Sequence, residues 1–308
     1  MTEATFTGLQ AFLDVEVEAV EAALLRAVAS FEADDTLDPH ALAAIRHGVL
    51  SGGKRLRPIL CVAAFRACGG SASLDGEAVY DLAVSLELIH AYSLMHDDLP
   101  CMDDAELRRG RPTTHREHGE QVTMTAAAAL IPLAARQALK AAHRLGLEDV
   151  AARGVARRLM EAAGAGGMVG GQWLDRLGVG EILGPDALGD LHRRKTGALL
   201  TAALVMGAGA AGASHQEVEA MEIYGQAIGL AFQITDDILD ATASADALGK
   251  NPSDTQLEKS TYVALHGLDG ARARARRQVD VALQALADPG ISSEPLEALA
   301  RYMVERDR

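Results

Sequence analysis

The segment EAVYDLAVSLELIHAYSLMHDDL, residues 77–99, most narrows the folds open to this chain. Apolar residues occupy nearly every side of it for about six helical turns. A helix with so little polar surface must be surrounded by other elements, as in the middle of a helical bundle. A second segment of this kind, AMEIYGQAIGLAFQITDDILDA at 220–241, also ends in aspartates. The pattern predicts a bundle in which two buried helices carry acidic ends.

The composition favours the same fold class. Hydrophobic residues make up 49% of the 308 residues, while aromatic residues make up only 4%. Ala and Leu favour helices, whereas strands favour β-branched and aromatic residues. None of the breaks between helical patterns is long enough for an interdomain linker. We therefore predict an all-α fold with one domain over residues 1–308.

The net charge and the cysteines limit the binding partners and the cellular compartment that we expect for this protein. A formal net charge of -14 argues against nucleic-acid binding and against adhesion to an anionic membrane. Cys61, Cys68 and Cys101 form no CxxC pair, which favours the reducing cytoplasm. No signal peptide is visible, and the apolar stretch at 198–213 falls short of the roughly 20 residues that span a bilayer. We expect a cytoplasmic protein without stable membrane insertion.

The first acidic cluster lies in LMHDDLPCMDDAELRRGRP, residues 94–112, where four aspartates occupy eight positions. Like charges on so short a segment repel unless a cation lies among them. Asp97 and Asp98 end the first apolar helix, Pro100 bends the chain, and Asp103 follows. Taken alone, the cluster is either a solvated acidic turn or a cation site.

The second acidic cluster, FQITDDILD at 232–240, decides between these readings. On a helix Gln233, Asp236 and Asp240 share one face, because residues three and four apart are neighbours. Mg²⁺ takes one or two protein carboxylates and fills its other positions with water and substrate phosphate. Two such clusters, each ending a buried helix, are hard to explain as solvated turns. Together they predict a magnesium site for a substrate that carries phosphate.

Positive charge is available for a second anion. The loop GGKRLRP at 52–58 offers Lys54, Arg55 and Arg57 after two glycines, so backbone and side-chain donors can surround an anion there. It does not match the P-loop pattern. Further cations are spread along the chain: Arg108, Arg109, Lys195, Lys250 and Lys259. The set predicts one diphosphate bridged by metal ions and another gripped by bare cations.

Several motifs together resemble one family, the trans-isoprenyl diphosphate synthases. They are GGKRLRP, SLMHDDLPCMDDAELRRGRPTTH, GGQWLD, KTGALL, FQITDDILD and EKSTY, in the family's order and with its spacing from residue 52 to 262. The resemblance implies antiparallel helices around a deep cavity, usually in a homodimer. It also implies a magnesium-assisted condensation of isopentenyl diphosphate with an allylic diphosphate such as the dimethylallyl or geranyl ester.

The resemblance implies a role for each motif residue. The magnesium ligands on the allylic diphosphate would be Asp97, Asp98, Asp103, Asp236, Asp237 and Asp240. The residues that help to hold this diphosphate would be Arg108, Lys195, Lys250 and Lys259. Those that grip isopentenyl diphosphate would be Lys54, Arg57, His90 and Arg109. Thr196 and Gln233 would lie near the reacting carbons.

The histidines need separate treatment. A lone His on an apolar helix is usually a satisfied core residue, but His90 lies seven positions before Asp97, two turns away on nearly the same face. This position supports the binding role that the resemblance implies. His115 and His118 lie in the polar segment THREHGE, and we interpret them as solvated.

The product length is open between two values. The resemblance implies that Tyr92 and Ser93, five and four places before Asp97, set the floor of the chain cavity. Five helical residues carry a side chain about 7.5 Å deeper, so bulky Tyr92 favours the fifteen-carbon farnesyl product. Ala105 and AAAL at 127–130 instead resemble bacterial carotenoid-pathway geranylgeranyl diphosphate synthases, which make twenty carbons. A noncatalytic partner subunit and a class I terpene cyclase are weaker alternatives, because both acidic clusters and the basic loop are intact.

Overall fold

A computed structural model describes residues 3–33, 37–71, 76–178, 180, 183–242 and 260–305. The described chain consists of helices joined by loops, and its only strands form one short hairpin, which confirms the all-α prediction. The first helices are α1 (Glu3–Glu32), α2 (Pro39–Val49), α3 (Leu56–Ala67) and α4 (Ala78–Asp97). After the hairpin come α5 (Thr114–His118), α6 (Glu120–Arg144), α7 (Asp149–Ala163), α8 (Met168–Leu177) and α9 (Pro185–His192). A π-helical turn (Arg193–Gly197) leads into α10 (Ala198–Ala210), α11 (His215–Thr242), α12 (Tyr262–Ala287) and α13 (Glu294–Glu305).

The hairpin follows α4 and carries three arginines, Arg108, Arg109 and Arg111. Strands β1 (Leu107–Arg108) and β2 (Arg111–Pro112) pair antiparallel, with Leu107 opposite Pro112. Arg109 lies in the turn with a φ of 54°, and Gly110 follows with a φ of 75°. Left-handed backbone at both turn positions is typical of a tight hairpin connection. The hairpin thus folds back and returns its arginines towards the end of α4.

Helix α4 is the central helix that its apolar pattern predicts. Its residues from 81 to 89 are all buried, and it packs against α6, α3 and α1. Helix α11, the other acid-tipped helix, packs against α12 and α10. The main apolar core draws side chains from helices along the whole described chain, from Val20 in α1 to Leu296 in α13. The buried midsections of α4 and α11 therefore fix where their acidic ends lie.

Helix α6 needs a comment because it is long and apolar enough to cross a membrane. Among the described helices it alone meets that test of length and composition. It packs against α4 and α7 within the bundle, however. A core helix of a soluble protein has the same features, so this one helix does not indicate a membrane protein.

Glycine determines how closely α8 approaches the π-helical turn. A Cβ atom added at Gly171 would lie 2.2 Å from the backbone nitrogen of Lys195. No side chain fits at that distance, so the residue must be glycine if α8 and the turn are to keep this contact. Gly171, in the segment GAGGMVGGQ at 164–172, is thus a helix-packing glycine. The contact places the turn that carries Lys195 and Thr196 directly beside α8.

Candidate active site

One cavity of about 520 Å³ lies between the end of α4, the loop that follows it, α8 and the π-helical turn. Half of its lining residues are polar or charged: Arg57, His90, His96, Asp97, Gln172, Arg176, Lys195 and Thr196. Largely apolar side chains line the rest: Tyr92, Leu94, Cys101, Met102, Met168, Val169 and Trp173, with Ser93. The cavity is therefore suited to a ligand with a charged head and a hydrocarbon tail.

Asp97 is the aspartate of the first cluster that borders this cavity. Burial raises the pKa of its carboxyl to about 7; the charge of Lys195 opposes that shift, and the charge of Asp103 adds to it. A carboxylate that is this reluctant to ionise gains most from a bound cation. Asp97 thus has the electrostatic character of a metal ligand.

Asp98, the next residue, is directed elsewhere. Its side chain is 3% exposed, and Arg108 of β1 donates to both of its oxygens. The Arg108 Nε lies 2.9 Å from Oδ1 and 2.8 Å from Oδ2, and Nη2 lies 2.5 Å from Oδ1. Such a two-pronged pair fixes the hairpin against the end of α4. Asp98 therefore serves Arg108, and the prediction that it binds metal gains no support from this geometry.

Asp103 is brought back towards Asp97 by the loop between them. The backbone N–H of Asp103 donates to the carbonyl of Asp97 at 2.9 Å. Its carboxylate lies 3.4 Å from Arg176 of α8, and both side chains are partly exposed. An exposed pair of this kind is weak and exchanges readily with water or ligand. Asp103 is thus available near the cavity mouth.

The second acidic cluster meets the π-helical turn on its other side. The Thr196 hydroxyl donates to Gln233 Oε1 at 3.0 Å, and Lys195 Nζ lies 2.5 Å from Asp175 Oδ2. A smaller pocket of about 100 Å³ is bordered by Asp175, His192, Lys195, Gln233, Asp237 and Ser260, among others. Lys195 borders both pockets, so it connects the two acidic regions.

The aspartates of α11 differ in burial. Asp237 is buried, and its Oδ2 accepts the backbone N–H of Tyr262 at the start of α12, at 2.7 Å. Asp236 and Asp240 are half-buried. The sequence predicts that Gln233, Asp236 and Asp240 share one face of the helix. Asp237 must be added to this group, because it lies beside Gln233 in the small pocket. Residues four apart on a helix are neighbours, as this pair shows.

The predicted basic residues lie mainly at one part of the site. Arg57 and His90 border the main cavity, and Arg57 Nε is buried with no hydrogen-bond partner among the described residues. Arg109 donates to the carbonyl oxygen of Gly52, in the loop that carries the exposed residue Lys54. Burial, together with Arg57 and Arg109, holds the pKa of His90 well below its usual value. His90 is therefore a neutral donor and acceptor among cations.

The described residues contain no group of three His, Cys, Asp or Glu side chains close enough to hold a metal ion. The carboxylates that surround the site are spread over α4, its following loop and α11. Magnesium needs few protein ligands when a phosphate supplies the others, so oxygen donors in this open arrangement fit it. The donor set suits a metal that arrives with its substrate.

Comparison with known proteins identifies the group to which the site belongs. The family model for polyprenyl synthetase matches residues 38–294. The chain belongs to this family. It is 43% identical over 270 residues to the farnesyl diphosphate synthase of Escherichia coli (strain K12), covering 86% of this chain and 88% of that protein. It is 42% identical over 272 residues to geranylgeranyl pyrophosphate synthase 9, chloroplastic, of Arabidopsis thaliana, covering 85% of this chain and 73% of that one.

Solved structures of this polyprenyl synthetase class share the fold. A geranyltransferase from Legionella pneumophila is similar with a TM-score of 0.83 and 28% identity, covering 99% of both chains. An FPP/GFPP synthase from Zymomonas mobilis has a TM-score of 0.78 and 31% identity, covering 97% of this chain and 99% of that one. The predicted isoprenoid synthase fold and the predicted short-chain prenyltransferase are thereby confirmed. The relatives include both farnesyl and geranylgeranyl synthases, so they do not fix the product of this polyprenyl synthetase.

Two sequence interpretations are wrong. Arg55, which we grouped with the anion loop, is buried and paired with Glu21 and Glu87 rather than turned to the cavity. His115, interpreted as solvated, is buried, with its Nδ1 3.1 Å from the Thr113 hydroxyl. Packing of α5 against α2 and α6 accounts for this burial, and a polar local sequence does not reveal it. Lys250 and Lys259 lie outside the described residues.

Sequence reasoning also missed two members of the site. Asp175 pairs with Lys195, and Arg176 pairs with Asp103. Both lie in the last turn of α8, directly after GGQWL. The available signal was an acidic and a basic residue at the end of a glycine-rich helix, where close packing brings them to the site.

Proposed function

We propose that the protein, acting as one domain over residues 1–308, condenses isopentenyl diphosphate with dimethylallyl or geranyl diphosphate to give farnesyl diphosphate. The main support is the single cavity in which Asp97, Lys195 and Arg57 share the lining with apolar side chains. Reactants with a diphosphate head and a hydrocarbon chain match both parts of this lining. Membership of the polyprenyl synthetase family supports the same reaction class.

Magnesium fits the acidic part of the site. The ions would be held by Asp97 and Asp103 on one side and by Asp236 and Asp240 on the other. The sequence predicts Asp98 and Asp237 as ligands too, but these two would support the ligand residues without binding the ions. The raised pKa of Asp97, about 7, supports a need for positive charge there. When bound, the metal would neutralise the charge that develops on the departing diphosphate.

The chain's own cations would stabilise the leaving diphosphate. Lys195 borders both pockets, and Arg108 is held at the end of α4 by Asp98. Fixed charges aimed at the departing group favour ionisation of the allylic ester, because they need no reorganisation during the reaction. Lys250 and Lys259 are proposed for the same role. An allylic cation then remains in the apolar part of the cavity, away from water.

The second substrate would bind at the basic loop. Arg57, with its unpartnered buried Nε, together with Lys54 and Arg109, would bind the diphosphate of isopentenyl diphosphate. His90 is neutral, so it can donate a hydrogen bond without adding charge. The double bond attacks the allylic cation, and the released diphosphate takes the proton. Thr196 and Gln233, joined by a hydrogen bond, would lie beside the reacting carbons.

Tyr92 supports the fifteen-carbon product. Its half-buried side chain borders the cavity, and its ring centre lies 6.0 Å from that of His96 on the next turn. Together with Ser93, it would limit the depth available to the growing chain. Replacing Tyr92 with Ala should shift the main product from fifteen to twenty or more carbons. An unchanged product length would remove Tyr92 as the floor.

The geranylgeranyl product is the second candidate. The 42% identity to the Arabidopsis geranylgeranyl pyrophosphate synthase, close to that for the bacterial farnesyl enzyme, supports it. A noncatalytic subunit would have little use for intact carboxylates in both clusters. A class I terpene cyclase would not need a second anion site at Arg57 and Lys54.

The first test is a mass spectrum of products from purified protein, magnesium, isopentenyl diphosphate and dimethylallyl diphosphate, repeated with EDTA. We expect a magnesium-dependent fifteen-carbon diphosphate. Twenty carbons would select the second candidate, and consumption of farnesyl diphosphate without isopentenyl diphosphate would indicate a cyclase. No product would favour the noncatalytic subunit. We also expect a cytoplasmic homodimer, which sedimentation of the purified protein and fractionation of cells would test.

A further inference from the structure

Arg55 lies at the base of the basic loop and faces away from the cavity. It is 3% exposed, and each of its guanidinium nitrogens is bonded. Its Nε donates to Glu21 at 2.8 Å, Nη1 to Glu87 at 2.8 Å, and Nη2 to the carbonyl of Val49 at 3.0 Å. These bonds use three of the five guanidinium N–H groups, and burial keeps the charged head of Arg55 away from a substrate.

The backbone at Arg55 is left-handed, which is rare for a residue with a side chain. Its φ is 48° and its ψ is 32°, immediately before α3 begins at Leu56. Such a conformation persists only where surrounding contacts impose it. The three hydrogen bonds of the guanidinium are those contacts. They set the direction in which the chain leaves the loop and enters α3, and so the positions of Lys54 and Arg57 on either side.

Glu87 is a charged residue in the buried middle of α4. It is 3% exposed and lies one turn before His90. Besides pairing with Arg55, it acts on the cations of the anion site. Burial lowers the pKa of Arg57 and of Arg109, and the negative charge of Glu87 opposes the shift in both. One buried carboxylate thus lies near three arginines.

The loop is also tied from the hairpin side. Arg109 donates to the Gly52 carbonyl and lies 3.5 Å from the Ser51 hydroxyl. The φ of 132° at Gly53 favours glycine, and a Cβ atom there would lie 2.6 Å from the Arg109 guanidinium and require that side chain to shift. Arg55 and Arg109 therefore hold the same loop from its two sides. Glu87 is a negative charge close to both, and Glu21 acts on the same two arginines, on Arg109 more weakly than Glu87 does.

We propose that Arg55 and Glu87 form a positioning pair, which fixes the basic loop so that Lys54, Arg57 and Arg109 are in place before a diphosphate arrives. The inference rests on the proposed function, because it concerns the site assigned to isopentenyl diphosphate. Arg55 would set the loop geometry, and Glu87 would keep the neighbouring cations together in the absence of ligand. Neither residue would touch the substrate. Preorganisation of this kind affects the binding of the held substrate most.

The test compares Glu87→Gln with the parent in steady-state kinetics and in direct binding. We expect the KM for isopentenyl diphosphate to rise at least tenfold while the KM for the allylic diphosphate changes less than twofold. Calorimetric titration of isopentenyl diphosphate alone, without metal or allylic substrate, should show a matching rise in Kd. Equal changes in both KM values, or none, would overturn the proposal.

A control is available in a second buried carboxylate, whose arginine partner Arg66 is exposed. Glu16 is also 3% exposed; its Oε1 lies 2.5 Å from Arg66 Nη1, and its Oε2 accepts the Tyr80 hydroxyl at 2.9 Å. Glu16→Gln should lower the melting temperature as Glu87→Gln does, with the KM for isopentenyl diphosphate unchanged. A similar rise in KM in this control would mean that general destabilisation is responsible, and the proposal would fail.

A paired substitution separates folding from positioning. Replacing both members of a buried ion pair with apolar residues often restores stability. The double variant Arg55→Met with Glu87→Met should therefore melt closer to the parent than Glu87→Gln does, yet keep the raised KM. Arg55→Lys should give an intermediate KM, because Lys retains the charge but not the three-way fork. A double variant with parental KM would overturn the pair's role. If the parent itself turned over no isopentenyl diphosphate, the proposed function would fail instead.

Discussion

At the ends of both α4 and α11, two adjacent aspartates divide their roles in the same way. At the end of α4, Asp98 is buried and held by Arg108, while Asp97 is half-buried and borders the cavity. At the end of α11, Asp237 is buried and accepts the N–H of Tyr262, while Asp236 is half-buried. In each pair the second aspartate is bonded to protein, and the first is nearer to solvent.

The comparison shows what a paired aspartate can contribute to such a site. Neighbouring residues on a helix point about 100° apart, so both members of a pair cannot face one ligand equally well. The member that turns inward is buried and must find a donor, because an unpaired buried charge is costly. At α4 that donor brings the hairpin arginines to the site, and at α11 it brings the start of α12. The less buried carboxylate would serve the ligand, and the more buried one secures the surroundings.

The largest expected effect follows replacement of the first members. Asp97→Asn and Asp236→Asn should each lower product formation by on the order of 100-fold or more, because each removes a charge placed against the metal and diphosphate. Steady-state rates at saturating magnesium would measure the loss. Asn keeps the size and hydrogen-bonding ability, so the change isolates charge. If both variants kept the parental rate, the proposed division of roles between the first and second aspartate of each pair would be contradicted.

Asp98→Asn should have a smaller effect on rate and a larger one on stability. Loss of the carboxylate leaves Arg108 without its two-pronged partner, at a cost of about 2 to 3 kcal/mol of unfolding free energy. We expect the rate to fall by roughly tenfold, as the hairpin loses its fixed position. Denaturant unfolding and kinetics on the same preparation would show both. A rate loss equal to that of Asp97→Asn with parental stability would assign Asp98 to the metal.

Sequence reasoning gave the helical class and both acidic ends, because apolar periodicity and charge position are local signals. It did not separate Asp98 from Asp97, since the separation depends on where Arg108 returns after the hairpin. Asp237 could not be assigned either. Its partner is a backbone N–H at Tyr262, and backbone groups leave no mark in a sequence.

Arg55 teaches the complementary lesson. Charge alone groups Arg55 with Lys54 and Arg57, but its left-handed backbone directs its side chain into the protein. A signal did exist in α4, where Glu87 is the charged residue of the mainly apolar stretch LAVSLELI at 82–89. A buried carboxylate needs a positive partner, and the nearest loop of cations could have supplied it. Lone charges on apolar helices therefore merit a search for their partners before any cation is assigned to substrate.

Protonation of Asp97 gives a prediction of stability with a definite sign. Burial raises its pKa from 3.8 to about 7 in the folded protein, so its ionised form opposes folding above pH 7, and this penalty disappears as the pH falls towards 4. Asp97→Asn should therefore be more stable than the metal-free parent at pH 8, by about 1 to 4 kcal/mol. The gain should vanish near pH 4. Thermal unfolding in EDTA at both pH values would test this; a less stable variant at pH 8 would contradict the assignment.

The smallest expected effect separates the two aspartates of α11. Asp237→Ala removes the acceptor for the Tyr262 N–H at the start of α12, at a cost of about 1 kcal/mol. Asp237→Asn keeps an acceptor oxygen and should lose less. Asp236→Ala is the matched control, one residue away and half-buried; it should leave stability near that of the parent while lowering the rate strongly. If Asp237→Ala lowered the rate as much as Asp236→Ala and left unfolding unchanged, the second aspartate of α11 would belong to the ligand. The parallel between the two helix ends would then hold only at α4.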